Sequence, residues 1–397
     1  MIRWLPFVFV PLVAWVKDAT VVILALGTIL ALAQPDLRRA ALAPPRFAPA
    51  VIVFVLFAAW TLASFVWAPA LPMVNWAKAC ATIAMIALLM RGIAALPDPS
   101  QIVRCLLGAW AALFVLLAVE RITGGYFLGL VRVGASPERN FDTLSPGLTF
   151  LTCLTFPVAL MLWRKTGRAW MAMAVVIACF ALGVTYRMDA APIALVAGAI
   201  AFVCVWIAGR IGVAAVAGML ALVAVMWGTF STLAWGDDLP VWLSQHFTRN
   251  WGLRVEIWHR VDELIHARPV LGYGFDAARV VGEPNAVAVG VSREVNFLHP
   301  HNGLLQVWLE LGAVGVVLFL AWSALALLSL QRRATDRVSL ATTLATALAV
   351  SVFWEVSFGI WYGWWLAAIG LTFIALRLAI RPSVPIARTD TAHSRSS

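Results

Sequence analysis

Charged side chains are scarce in this sequence: Asp, Glu, Lys and Arg together make up 12% of its 397 residues. A soluble domain is usually about a quarter charged, so an ordinary soluble fold is excluded. The five cysteines lie inside apolar runs and form no CxxC pair, which indicates small buried hydrophobic residues and not disulfides or zinc ligands. Walker, GxGxxG and serine-nucleophile motifs are also missing from the sequence, so nothing in it indicates a nucleotide site or a serine hydrolase.

Apolar residues are abundant instead. They make up 62% of the chain, and runs long enough to cross a hydrocarbon core of about 30 Å recur from end to end. We therefore predict an all-α polytopic membrane protein with about 12 transmembrane helices. The predicted spans are 4–16, 19–33, 50–67, 74–90, 102–119, 144–163, 169–186, 191–208, 211–230, 303–330, 338–356 and 360–380. Only Lys17 and Asp18 separate the first two spans, and one long tilted helix there would reduce the number to eleven.

Basic residues indicate the topology of these spans. If the N-terminus is inside, every inside connection carries Arg or Lys, as the positive-inside rule requires, and both termini are cytoplasmic. The net charge of +10 is explained in this way, and no basic domain indicates a nucleic-acid partner. The chain then divides into helices 1–9 (1–230), a large outer loop (231–301), helices 10–12 (302–380) and a cytoplasmic tail (381–397) that we expect to be disordered.

The large outer loop holds five of the six histidines and six arginines. Arginines on the outer face oppose the topology rule, so we expect a function for them. Apolar residues recur at helical spacing from Leu253, which predicts an amphipathic helix over roughly 250–267 at the outer membrane boundary. Pro269 is expected to end this helix, Gly272 and Gly274 to permit a tight turn, and Asn302 to cap the next helix.

The stretch FLHPHNGLLQVWLELG, residues 297–312, places His299 and His301 at the start of the tenth predicted span. A neutral imidazole at a helix N-terminus, where the dipole lowers its pKa, can take a proton from a hydroxyl group, so one interpretation is a general base. The other is a loop pair that only caps the helix. The loop histidines match no standard zinc spacing, so we expect no metal site.

Two arginines are the main candidates for binding an anion. Arg187, in GVTYRMDAAP, and Arg254, beside Trp258 on the predicted amphipathic helix, would lie at the same level of the membrane. The planar guanidinium fork suits a phosphate or diphosphate. The alternatives are that Arg187 snorkels to the surface and that Arg254 faces solvent. Lys78 and Arg139 are weaker candidates, because snorkelling explains the first and a solvated loop the second.

These groups together indicate a transfer reaction on the outer face. No ATP is present there, so the reaction needs an activated substrate that crosses with its lipid, such as a lipid-linked diphosphate sugar. The arginines would neutralise the leaving diphosphate, and the histidine would deprotonate the acceptor hydroxyl, with no cofactor. A single-step displacement with one base would invert the anomeric centre.

The segments RVEIWHRVDELIHARPVLGYGFDAARV and HPHNGLLQVWLELGAVGVVLFL, with the pattern HN-x-x-L-Q…E-x-G, resemble the signature region of the O-antigen ligase and polymerase superfamily. The resemblance implies a membrane glycosyltransferase of the C type. It implies metal-independent transfer of a glycan from undecaprenyl diphosphate to an acceptor at the periplasmic face. In ligases that acceptor is a sugar of the lipid A core.

The family's functional residues can be matched one by one. Its motif histidine matches His301, and its two arginines match Arg254 and Arg187, although Tyr186 and Met188 replace the usual Ser and Gly beside the latter. We assign supporting roles to the remaining candidates, which are His299, Asn302, Trp258, Arg139 and Lys78.

The leading hypothesis is therefore an O-antigen ligase in a Gram-negative inner membrane. Its partners would be an undecaprenyl-diphosphate-linked glycan, a lipid A-core or other glycan acceptor, and the bilayer. The alternatives are a polymerase with a second lipid-linked glycan as acceptor, a transferase that glycosylates proteins, and a transporter of the same lipid. A transporter is disfavoured because the charges of interest cluster at one face and no internal repeat is visible.

Overall fold

The computed structural model describes residues 5–44, 48–131, 137–186, 188–218, 249–282 and 297–381. Within these ranges the chain forms helices joined by turns, with no β-strand, which confirms the predicted all-α class. The α-helices are α1 (Leu5–Val8), α2 (Ala19–Ala33), α3 (Pro35–Leu42), α4 (Pro49–Ala63), α5 (Met73–Ala94), α6 (Ser100–Ile122), α7 (Tyr126–Val131), α8 (Pro137–Thr166), α9 (Ala169–Thr185), α10 (Ala190–Ala208), α11 (Arg249–Ala267), α12 (Ala278–Val281), α13 (Gly303–Gln331), α14 (Arg337–Val356) and α15 (Gly363–Ala379). Residues 210–218 are also helical.

The described helices support a multi-pass membrane protein. Seven stretches are long and apolar enough to cross a bilayer: Pro49–Val66, Met73–Ala94, Ser100–Ile122, Thr143–Thr166, Ala190–Ala208, Gly303–Gln331 and Arg337–Val356. The pair α2 and α3, bent by 108° at their junction, makes an eighth if it is one span, and α9 and α15 are apolar but shorter. The described ranges thus hold seven or eight such spans where we predicted 12 in the whole chain, and most of the predicted ninth span, 211–230, lies outside them.

The first predicted span, 4–16, is not a single helix. Its described residues form the four-residue helix α1 and a separate 3-10 turn, Pro11–Ala14, and residues 15–18 form a turn before α2. Pro11 has no N–H to continue the hydrogen-bond ladder of α1, so the helix ends before it. The alternative of one long helix through 4–33 is excluded for the same reason.

Helix α8 is the centre of the bundle. In its apolar stretch Thr143–Thr166, 89% of the most hydrophobic window is buried inside the protein, compared with 17% for α4 and for α5. Helices α6, α9, α14 and α15 pack around it. The hydroxyls of the buried Thr152 and Thr155 donate to backbone carbonyls one turn earlier in α8, which satisfies these polar groups without water.

Polar contacts fasten the two ends of the bundle. At one end Arg164 donates to Ala379 O (2.7 Å) and pairs with Asp336 (2.6 Å), which joins the ends of α8 and α15 to the start of α14. At the other end Thr20 donates to Trp364 O (2.9 Å), which joins the starts of α2 and α15. This second end also contains the end of α14 and the start of α13.

Helix α13 is broken at Gly312, where the backbone is non-helical with φ 64°. The segment after α11 lies across this break and is bonded to it through the pairs Tyr273 N–Leu309 O (2.9 Å), Gly274 N–Glu310 O (2.7 Å) and Ala313 N–Pro269 O (2.9 Å). A Cβ atom at position 312 would overlap the carbonyl oxygen of Val270. Gly312 therefore permits both the left-handed backbone and the close approach of the loop.

We expect Gly312→Ala to destabilise the protein, because alanine would be strained at this φ and would push the 269–274 segment away. The strain alone is on the order of 1–3 kcal/mol. The measurement is thermal unfolding of the full chain in detergent. Gly108→Ala on α6 is the matched control, since a Cβ there meets nothing within 4 Å and the backbone is helical. Equal melting temperatures for the two variants would contradict this account.

Candidate functional site

The amphipathic helix α11 lies where the sequence predicted it, from Arg249 to Ala267. Its buried face packs on α13 at Leu305 and Leu309 through Ile257, Trp258, Val261, Leu264 and Ile265. The predicted turn follows Pro269, with Gly272 at φ 67° and Gly274 at φ 97°. Helix α11 is thus fixed beside the first turns of α13, above which the histidine pair is found.

The turn 299–302 is held from three sides. Trp258 on α11 donates its indole N–H to Pro300 O (2.9 Å), and His301 has the left-handed φ of 55°. Asn302 caps α13, as its side-chain oxygen accepts the N–H of Leu305 (2.9 Å). A non-glycine residue at positive φ is strained, and such strain persists only where the surroundings hold it.

His301 has a defined tautomer. Its Nδ1 lies 2.8 Å from the carbonyl oxygen of Ser357, at the end of α14. A carbonyl can only accept, so Nδ1 carries the proton and Nε2 of the neutral ring has a free lone pair. Burial lowers the pKa of His301 from its ordinary value, and nearby Arg254 lowers it further, whereas the bond to Ser357 raises it. The ring is therefore neutral near pH 7 and able to accept a proton at Nε2.

His299 serves the turn. Its Nδ1 accepts the backbone N–H of His301 (3.2 Å), and the two imidazole rings lie 4.1 Å apart. Burial, followed by the proximity of His301, Arg279 and Arg254, lowers the pKa of His299 to about 3. A neutral His299 keeps its Nδ1 lone pair for the backbone of His301, and thereby holds His301 in its strained conformation.

Arg254 lies within electrostatic reach of both histidines and of Asp189, which directly precedes α10. Burial lowers its pKa, and Asp189 acts in the opposite direction. The start of α10, helix α11 and the histidine turn therefore meet at one place. Arg187, two residues before Asp189, lies outside the described residues.

The other two predicted cations are Arg139 and Lys78. Arg139 lies near the start of α8, but its side chain is outside the described part of the chain. Lys78 is exposed on α5, and within the described residues its side chain has no contact with the histidine turn.

Three further residues at this place were not selected from the sequence. Arg279 lies over the ring of Tyr362 (5.4 Å to the centroid), Lys17 lies 5.8 Å from the same centroid, and His299 meets the ring edge-on at 5.5 Å. In the sequence, Arg279 is only one of the six arginines of the large loop, and Lys17 only separates two apolar runs. No spacing rule connects positions 17, 279 and 362, so only the tertiary fold reveals them.

A buried carboxyl group connects the loop to the helices beneath the histidines. Glu310, which is 0% exposed, accepts the backbone N–H groups of Asp276 (3.0 Å) and Ala278 (3.4 Å), the amide of Gln306 (3.0 Å) and the indole N–H of Trp361. All four partners are donors, so both carboxyl oxygens must accept. The Q…E-x-G residues of the sequence pattern thus hold the loop in place, while His301 faces the site.

Within the described residues no group of three or more His, Cys, Asp or Glu side chains is placed to hold a metal ion. All five cysteines are free. The chemistry that this arrangement can perform is proton removal by His301 next to cations that can bind an anion.

Comparisons with known proteins give matches that include this region. Residues 174–320 match the family model described as O-antigen ligase. The chain is 41% identical over 70 residues to proteins of Rickettsia felis and Rickettsia prowazekii, and 26% identical over 136 residues to one of Rickettsia bellii; each carries the name "Putative polysaccharide ligase". The matched stretch covers 17% of this chain and 17% of the first two relatives, and 34% and 33% in the third comparison. These matches support an O-antigen ligase-like family, in agreement with the resemblance found in the sequence.

We expect Glu310→Gln to destabilise the protein and loosen the segment 273–278. A glutamine has one acceptor oxygen, and its NH2 group would face two donors, so the loss is on the order of 1–3 kcal/mol. The measurements are thermal unfolding and limited proteolysis at the loop. Asp98→Asn is the control, since Asp98 is exposed and bonds only Ser100. A Glu310→Gln protein as stable and as protease-resistant as the control would refute the role of this carboxyl group.

Proposed function

We propose that the protein transfers a glycan from undecaprenyl diphosphate to a hydroxyl of the lipid A-core oligosaccharide, as an O-antigen ligase. The observation that carries the proposal is the tautomer of His301, whose Nδ1 is bonded to Ser357 O and whose Nε2 is left as a base beside Arg254. The family match over 174–320 supports a glycan substrate and a membrane setting.

In the proposed reaction the acceptor hydroxyl gives its proton to Nε2 of His301. The resulting oxygen attacks the anomeric carbon of the donor sugar as the bond from that carbon to the diphosphate oxygen breaks. The undecaprenyl diphosphate leaves as an anion, stabilised by Arg254 and, in our proposal, by Arg187. A single displacement of this kind inverts the anomeric centre and requires no cofactor. His301 keeps its bond to Ser357 throughout, since Nδ1–H donates in both protonation states.

We further propose that the histidine end of the bundle faces the periplasm, in a cell inner membrane with both termini cytoplasmic and 12 spans in all. The described part of the chain supports this orientation. The opposite end of the bundle carries the basic residues Arg164, Lys165, Arg168, Arg332, Arg333 and Arg377, as the positive-inside rule expects of a cytoplasmic face. The histidine end carries the amphipathic helix α11.

A polymerase would use the same donor and the same base, so the acceptor distinguishes the two functions. The assay is purified full-length protein with undecaprenyl-diphosphate glycan and two acceptors in separate reactions. Product on lipid A core supports the ligase. Lengthened lipid-linked glycan indicates the polymerase, and movement of unreacted lipid between leaflets without either product indicates the transporter.

We expect His301→Ala to lose at least about 100-fold in transfer rate, the usual contribution of a general base, while lipid-linked donor accumulates. The measurement is the initial rate with saturating donor and acceptor. His266→Ala is the control, because His266 is an exposed histidine on α11 that bonds Asp262 of its own helix. Transfer at the wild-type rate by the His301 variant would remove it from the reaction.

The charge of Arg254 should be visible in the pH profile. A base acts in its neutral form, so the rate falls as the pH drops through the pKa of His301. Arg254 lowers that pKa, so Arg254→Gln should move the acidic limb to higher pH. Arg254→Lys keeps the charge and should leave the limb near its wild-type position. An acidic limb at the same pH in the Arg254→Gln variant would show that Arg254 does not lower the pKa of His301.

A further inference from the structure

A second cluster with two cations lies beside the histidine pair. In it the guanidinium of Arg279 lies 5.4 Å, and the ammonium of Lys17 5.8 Å, from the centroid of the Tyr362 ring. Lys17 is exposed, and the side chain of Arg279 is 38% exposed, so both can meet a ligand. Tyr362 offers an aromatic surface between them, the kind of platform on which cations are held and against which a sugar ring can lie.

Arg279 is held in place by the protein. Asp276 binds its Nε (2.9 Å), and Asp276 is itself fixed by the amide of Asn75 (2.6 Å) and by Glu310 through its backbone N–H (3.0 Å). Within the described part of the chain the two terminal guanidinium nitrogens of Arg279 have no hydrogen-bond partner. A guanidinium that is anchored at Nε and open at both ends is arranged to bind an anionic oxygen pair.

This group and Arg254 belong to different parts of the bundle. Arg254 acts on both His299 and His301 and is close to Asp189 at the start of α10, which packs on α9 and α14. Arg279 acts on His299, and its partners Lys17 and Tyr362 precede α2 and α15, which pack on each other and on α5. Arg254 and Arg279 are thus held by different helices, and both act on His299.

An in-line displacement needs separate binding sites for the donor diphosphate and for the acceptor. The leaving diphosphate and the attacking hydroxyl must lie on opposite sides of the anomeric carbon. If the diphosphate binds at Arg254, then the separate cations at the ring of Tyr362, which His299 also contacts, are left for the acceptor. We propose that Arg279, Lys17 and Tyr362 form the acceptor subsite, and that it recognises an anionic group, phosphate or carboxylate, on the acceptor glycan. This inference rests on the proposed function.

The first experiment separates acceptor from donor binding. We expect Arg279→Gln to raise the KM for lipid A-core about 10- to 100-fold, the equivalent of one or two charge-assisted hydrogen bonds, with the donor KM and kcat nearly unchanged. Lys17→Met should act in the same direction. Arg268→Gln is the matched control, because Arg268 also lies over a tyrosine ring, that of Tyr273 at 4.8 Å, in the same loop.

Two modified acceptors show whether the subsite recognises a phosphate or a carboxylate of the acceptor glycan. Lipid A-core treated with phosphatase and lipid A-core with methylated carboxyl groups are each assayed with wild type and with Arg279→Gln. The variant should lose its defect on the acceptor that lacks the recognised group. Tyr362→Leu supplies a second variant that keeps the salt bridge between Arg279 and Asp276, and it should also raise the acceptor KM, whereas Tyr362→Phe should not.

Binding measurements keep this inference separate from the transfer reaction. Equilibrium binding of lipid A-core to the full-length protein should weaken with Arg279→Gln and not with Arg268→Gln, whether or not glycan is transferred. A wild-type protein that binds the acceptor through Arg279 but transfers nothing overturns the proposed function and supports the subsite. A raised donor KM in Arg279→Gln, or a defect no larger than that of Arg268→Gln, overturns the subsite.

Discussion

The carboxyl group of Glu310 is the interaction on which the site depends. A buried carboxyl group costs several kcal/mol unless hydrogen bonds replace its water, and here four donors from three parts of the chain do so. Two donors belong to the loop after α11, one to α13 and one to the turn before α15. The loop continues directly into Arg279, and the turn continues into Tyr362. The bonds to Glu310 therefore help to position both Arg279 and Tyr362. The absence of a side chain at Gly312 lets the loop lie close enough to α13 to bond Glu310.

The cations around the histidines have two effects that depend on each other. Burial and then Arg254 lower the pKa of His301, and Arg279 adds to the lowering at His299, so both imidazoles are neutral in the absence of substrate. In our proposal the same arginines bind anions, and Asp189 and Asp276 lie near them. A diphosphate bound at Arg254 would cancel the effect of that arginine and raise the pKa of His301. The base would then become stronger when the donor is present, which couples proton removal to donor binding.

Local patterns in the sequence predicted the elements near the site well. The spacing of Ile257, Val261 and Leu264 predicted α11, Pro269 its end, and Asn302 the cap of α13. The prediction of one span over 4–16 was wrong for an equally local reason, since Pro11 divides the run. Contacts between distant segments could not be predicted. Arg279 and Lys17 carried no local signal, because only packing of α2 and α15 with the loop brings them to Tyr362.

The sequence pattern consists of residues that hold the framework together, so it indicates a family more readily than a substrate. Asn302, Gln306, Glu310 and Gly312 cap a helix, bind a loop and break a helix, and none of these tasks depends on the glycan. The base that we propose at His301 would likewise accept a proton from any acceptor hydroxyl. Selection of an acceptor requires groups that are held by this framework but are open to a ligand. Arg279 meets both conditions, since Asp276 fixes its Nε while 38% of its side chain is exposed.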